Sequence, residues 1–167
     1  MNMQTATEED AGIVGKNFTV FALQRRVFER SNIGLIYVNK ESLALDEYQQ
    51  LFDPTAYNRL LGVDYNLNSA DGKWTGKVFY HRTFESAEVE KPYSFNAYLL
   101  YTDLHWSWTF SVQDVGKSFN PEVGFLPRAD FKRINPDVTY LFYPKSKLIN
   151  RHGPKLEFEG FWNETLG

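Results

Sequence analysis

Apolar and polar residues alternate one-for-one over long stretches of this chain, and that period of two limits most what it can fold into. In 57–68 the odd positions read Tyr57, Arg59, Leu61, Val63, Tyr65 and Leu67, against Asn58, Leu60, Gly62, Asp64, Asn66 and Asn68. In 73–81, Trp74, Gly76, Val78 and Tyr80 oppose Lys73, Thr75, Lys77, Phe79 and His81. Trp106, Trp108, Phe110 and Val112 alternate with Ser107, Thr109, Ser111 and Gln113, and Leu156, Phe158, Gly160 and Trp162 with Lys155, Glu157, Glu159 and Phe161. Side chains of a strand point to opposite faces in turn, so each segment carries one greasy face and one wet face. The pattern predicts an all-β chain. The one helical spacing is 41–51, with Leu43, Leu45, Tyr48 and Leu51, stopped by Pro54.

Connection lengths carry a second signal. Segments 17–28 and 33–40 are separated by Glu29-Arg30-Ser31-Asn32, segments 57–68 and 73–83 by Ser69-Ala70-Asp71-Gly72, and segments 94–101 and 106–113 by Thr102-Asp103-Leu104-His105. Asp-Gly is good hairpin chemistry. Longer links, 41–56, 84–93 and 114–130, fall between these pairs. Asn135-Pro136-Asp137 reads as another tight turn, ahead of a strand at 138–143 and a long link at 144–154. The total is about nine antiparallel up-and-down strands.

A chain of this kind has two homes. As a soluble β-sandwich or barrel it would bury its greasy face. As part of a transmembrane β-barrel it would turn that face to lipid and its wet face to the lumen. Three features favour the barrel. Short turns alternate with long loops. Phe, Tyr and Trp make up 17% of the chain, and Tyr57, Trp74, Trp106 and Trp162 stand near strand ends, where interfacial girdles lie. Segment 57–68 is long enough to cross a bilayer, which takes about 9–11 tilted residues. The charges Asp64, Lys73, Lys77, Glu157 and Glu159 keep to the wet face, while Arg59 sits on the greasy face near a strand end. Arg25 and Arg26 are adjacent, so one of them points outward unless both lie at the water boundary beside the short turn.

The remaining composition closes off other chemistries. A net charge of −3 provides no basic face for nucleic acid. With no Cys, thiolate metal sites and Cys nucleophiles are excluded, and His81, His105 and His152 have no metal-ligand spacing, so no metal or cofactor is expected. There is no run of about 18 apolar residues for a membrane helix. Residues 1–16 include Glu8, Glu9 and Asp10 and lack the run of a signal peptide. They are expected to be a disordered N-terminal segment ahead of a barrel segment at 17–167.

Three further readings concern sites. Glu157 and Glu159 lie about 7 Å apart on one face, within glycosidase range, although solvated face charges are the commoner meaning of such a pair. Trp106 and Trp108 are flat rings that could stack on sugars, the basis of an alternative reading as a soluble carbohydrate-binding module; sharing one face of one strand, they fit lipid-facing or core residues better. A glycoside-active hydrolase is the third reading. In the 84–93 loop, Glu85, Glu88 and Glu90 read as a solvated acidic patch.

Several short stretches occur in a characteristic order: Gln24-Arg25-Arg26, Ser31-Asn32-Ile33-Gly34, Asn58 with Gly62-Val63-Asp64-Tyr65, and Phe119-Asn120-Pro121-Glu122-Val123-Gly124-Phe125-Leu126-Pro127-Arg128. Across roughly 17–145 the chain resembles the C-terminal domain of unknown function of Gram-negative proteins that carry a carbohydrate-binding family 9 domain. The resemblance implies an outer-membrane barrel in a cell-envelope protein, with glycan binding or processing linked to a separate N-terminal module. It also implies that the rest of a longer barrel chain is a partner of this segment, whose last residues lack the terminal aromatic of many outer-membrane strands. It supplies no catalytic residues. The candidate loop and lumen residues are Arg25, Asp64, Phe119, Asn120, Gly124, Phe125 and Arg128; the 119–128 segment could fold into the barrel mouth, with Arg128 meeting lumen carboxylates such as Asp64, but the favoured reading is that it simply orders the loop and starts the next strand.

Overall fold

A computed structural model describes residues 1–5, 15–43 and 57–163. Its strands are β1 (Asn2–Gln4), β2 (Lys16–Val27), β3 (Ser31–Ser42), β4 (Tyr57–Asn68), β5 (Trp74–Glu85), β6 (Tyr93–Thr102), β7 (Trp106–Val115), β8 (Phe131–Tyr140), β9 (Lys155–Glu157) and β10 (Gly160–Trp162). All ten belong to one antiparallel sheet with the path β1-β2-β3-β4-β5-β6-β7-β8-β10, β9 also pairing with β8. The sheet is open, with β1 at one edge and the β9–β10 row at the other. The chain is all-β and runs up and down, as the alternation predicts.

Register turns local alternation into two continuous faces. Leu35 pairs with Val63, Val63 with Tyr80, Tyr80 with Phe95 and Phe95 with Asp114. Directly paired residues share a face. The greasy residues of successive strands therefore align, and Gly34, Asp64, Phe79, Asn96 and Gln113 form a matching row on the other side.

Three expectations are corrected. Asn2–Gln4, expected in a disordered segment, pairs with Asn17, Phe18 and Thr19 of β2; residues 6–14 lie outside the described residues. Glu41 and Ser42, expected to begin a helix, are the last residues of β3, and 44–51 lie outside the described residues. Asn135-Pro136-Asp137 does not turn; it runs through β8, with Pro136 opposite Phe110.

Proline is tolerated there because of where its missing N–H would point. A strand residue aims its N–H and C=O to the same side, and the Pro136 carbonyl accepts the Phe158 amide at 3.0 Å. The lost donor therefore faces the β9–β10 row and leaves the ladder to β7 intact. The row is interrupted at Phe158 and Glu159 and resumes in the same register, Asp137 opposite Glu157 and Ile134 opposite Gly160. The Asn135 side-chain amide donates to the Phe158 carbonyl at 3.1 Å, filling the place of the proline donor.

The short turns lie at one end of the sheet. Phe28 in the first has a φ of 55°, and Gly72 in the second a φ of 72°. In the second, the Asp71 carboxylate accepts the Ser69 hydroxyl at 2.6 Å and the Lys73 amide at 3.1 Å. In the third, the Asp103 carboxylate accepts the His105 and Trp106 amides at 2.8 and 2.7 Å.

The buried cluster among the described residues is small. Val38, Leu60, Val115 and Phe119 form it, with Val20, Ile36, Leu126, Ala129 and Phe131 packed around them. It lies at the long-loop end, between the wet face and the β7–β8 loop, rather than between two sheets.

Candidate functional site

The greasy face is uncovered among the described residues. Phe21, Leu23, Leu61, Val63, Val78 and Phe110 are exposed on it, and Leu156 at the edge is 73% exposed. Trp and Tyr border this apolar band at both ends. Near the short turns, Trp74 lies 5.0 Å, centroid to centroid, from both Tyr101 and Trp108, and Trp106 lies 4.7 Å from Tyr140. Near the long loops, Tyr80 stacks on Tyr93 at 6.0 Å, and Arg59 and Arg82 lie over the Tyr57 and Phe84 rings.

Charges on this face keep to its margins. At the long-loop end Arg59 pairs with Glu41 and Lys132 with Asp114, each at 3.6 Å. The Tyr93 hydroxyl donates to Asp114 at 3.2 Å. Arg25, a candidate lumen residue, lies instead on the greasy face at the opposite margin, because it pairs with Ile33 of the greasy row beside the first turn. Its neighbour Arg26 points to the wet side and donates to the Glu29 carbonyl. The adjacent arginines thus divide between the faces at the strand end.

The wet face carries the candidate polar residues. Asp64 accepts the Asn66 amide at 2.8 Å, and Asn66 and Gln24 both donate to Asn32 Oδ1, at 2.8 and 2.7 Å. Two glycines make room for this group. A Cβ on Gly34 would stand 2.0 Å from Asp64 Oδ2, and one on Gly62 would stand 2.3 Å from the His81 ring. Asp64, His81, Lys77, Phe79 and Gln24 line a cavity of about 380 Å³. Phe79 also stacks on His81 at 4.7 Å.

The β7–β8 loop lies over this face, at the long-loop end. Phe119 is 6% exposed. Asn58 donates its amide to the Asn120 carbonyl at 2.9 Å, and the Asn120 amide donates to Glu85 at 3.1 Å. Lys40 forms an ion pair with Glu122. Phe119 and Asn120 therefore anchor the loop, whereas Gly124 and Phe125 lie at its exposed tip, Phe125 at 89% exposure. Arg128 stacks over Phe161, 4.6 Å from the ring centroid, on the β10 edge. It does so in place of the expected pairing with Asp64, whose carboxylate is held by Asn66.

Other candidates separate. Lys155 binds Glu157 and Arg133 binds Glu159, each at 2.8 Å, so the two carboxylates are held by different cations. Trp106 and Trp108 lie on the greasy face, within the aromatic margin. Glu85 serves the loop anchor, and Glu90 binds Lys117; that hydrogen bond holds the Glu90 carboxyl below its usual range and raises Lys117. The acidic patch is thus partly committed to internal contacts. Lys40, Phe79, Arg133 and Phe161 have no motif that marks them in the sequence; pairing across strands brings them into the site.

Compared with models of known protein families, with curated proteins and with solved structures, the chain matches none.

Proposed function

We propose that this chain is a segment of an outer-membrane β-barrel in a cell-envelope protein, with its greasy face against lipid hydrocarbon and its wet face toward the lumen. The observation that carries the reading is the layout of the greasy face: an exposed apolar band, an aromatic margin with Trp and Tyr at each end, and charges confined to the margins. Lipid rewards this arrangement. Tyr and Trp favour the interface, while Arg or Lys at mid-depth costs about 2–4 kcal/mol.

The spacing also suits a membrane. From Tyr93 to Tyr101 β6 runs between the two aromatic margins. At about 3.4 Å per residue and a tilt of about 40°, that spans roughly 20 Å of membrane normal, near the ~25 Å apolar band of such barrels. Closure would call for more strands. The two edges of the described sheet run in the same direction, so pairing them directly would be parallel. An antiparallel barrel needs an odd number of further strands, supplied in this reading by the remainder of a longer chain. The kinship with carbohydrate-binding family 9 domain proteins, and any glycan role, belong to the same proposal by analogy alone.

The test is depth-dependent quenching. The four Trp are replaced by Phe, and single Trp probes are introduced as Val78→Trp on the greasy face and Ser111→Trp on the wet face, with native Trp108 kept in a third variant. In vesicles of brominated lipid, deep bromines should quench the probe at 78 most and shallow bromines the one at 108. The probe at 111 should respond weakly to both. Equal quenching at 78 and 111, or recovery of the chain as a water-soluble monomer that leaves vesicles untouched, refutes the membrane reading.

A further inference from the structure

A cavity of about 510 Å³ lies between the β7–β8 loop and the wet face of β5 to β10. Phe79 and Phe161 line it, although their strands stand well apart in the sheet order, so the sheet curls toward this side. Its volume falls within the ~300–1,000 Å³ typical of small-molecule sites. Leu126, Pro127, Val115 and Phe131 complete a largely apolar wall, and Phe131 stacks on Phe161 at 5.6 Å.

The charged groups converge on this wall. Arg128 and Arg133 both line the cavity, with Glu159 beside Arg133. Two guanidiniums against one carboxylate leave an excess of one positive charge in an apolar-walled concavity, where fields are focused. The guanidinium fork matches a carboxylate in shape and can bind it with two parallel hydrogen bonds. A single excess charge suits a monoanion better than a phosphate monoester, which carries about −1.5 to −2.

We infer that this cavity binds a small organic monocarboxylate with a ring-sized apolar body, the ring lying among Phe79, Phe131 and Phe161 and the carboxylate meeting Arg128 and Arg133. The site lies on the wet face, so it stands or falls independently of what covers the greasy one.

The test uses the full chain in detergent micelles, with micelles alone as the blank, and fluorine NMR of three probes. These are 4-fluorobenzoate, 4-fluorobenzyl alcohol (ring without charge) and fluoroacetate (charge without ring). The benzoate should bind at least about tenfold more tightly than either other probe, the scale of one charge-assisted hydrogen bond or one buried ring. Arg128→Gln, at an exposed position, should weaken the benzoate by about tenfold and leave the alcohol unchanged. Phe161→Leu should weaken both ring probes, and Arg25→Gln, on the opposite face, should change nothing. Equal binding of benzoate and alcohol, no binding of benzoate, or indifference of the benzoate to Arg128→Gln in a variant with unchanged β-sheet circular dichroism overturns the inference.

Discussion

Asp71 and Asp103 brace two of the short turns in the same way, each carboxylate taking up groups that the turn would otherwise leave without partners. These bonds favour the ionised form, so both carboxyls are held below the usual carboxylate range: Asp71 chiefly by the Ser69 hydroxyl, Asp103 chiefly by the Trp106 amide. A carboxyl lowered in the folded state stabilises above its unfolded value near 3.9, and that contribution is lost as pH falls through the folded value. Hydrogen exchange at the His105 and Trp106 amides should therefore lose protection below about pH 4, beyond the intrinsic pH effect. Asp103→Asn keeps an acceptor oxygen but cannot ionise, so it should remove this pH dependence while the turn persists. Asp71-Gly72 is a hairpin signal visible in the sequence, whereas Asp103 acts through bonds that only the folded turn reveals. Gly62 was equally silent, because its role depends on His81 directly opposite. Gly62→Ala should push the His81 ring aside at a cost of about 1–3 kcal/mol, read from denaturant midpoints and the His81 ring resonances.

At the scale of the element, the β7–β8 loop and the β8–β9–β10 row show how far local signals reach. Pro121, Gly124 and Pro127 mark 119–128 as a loop, but they favour a segment that merely leads into the next strand over one that folds inward. Its anchors were not legible, because Lys40, Asn58 and Glu85 come from three different strands. Phe119→Ala should cost about 3–5 kcal/mol of loop docking, the range for a buried Phe, and should speed tryptic cleavage after Lys117 and Arg128. Asn135-Pro136-Asp137 misleads because its dipeptides carry turn statistics. What decides is which side of the strand lacks a donor, and that depends on the neighbour's register. Asn135→Ala removes the substitute donor to Phe158 and should cost about 0.5–1.5 kcal/mol. Exchange should rise first in 155–162, with β7 pairing unaffected.

At the scale of the molecule, the described residues leave the greasy face uncovered and two sheet edges unpaired. Water penalises both, since exposed apolar area and unpaired strand edges invite association. Sedimentation should show assemblies in plain buffer and a monodisperse species in detergent. Val78→Arg places a charge in the apolar band and should cost about 2–4 kcal/mol of membrane stability, cutting vesicle insertion, whereas Ser111→Arg on the wet face should leave insertion intact.

The sequence by itself determined the strand-rich fold class, three of the turns, and which residues of each long strand share a face, because alternation is a property of the extended backbone alone. Only the tertiary structure decided that the faces of all strands align across one open sheet, that Pro136 lies within a strand, and that Arg128 meets Phe161 rather than Asp64. Those outcomes depend on register and on the curl of the sheet, which arise from contacts between residues far apart in the chain, and no local pattern encodes them.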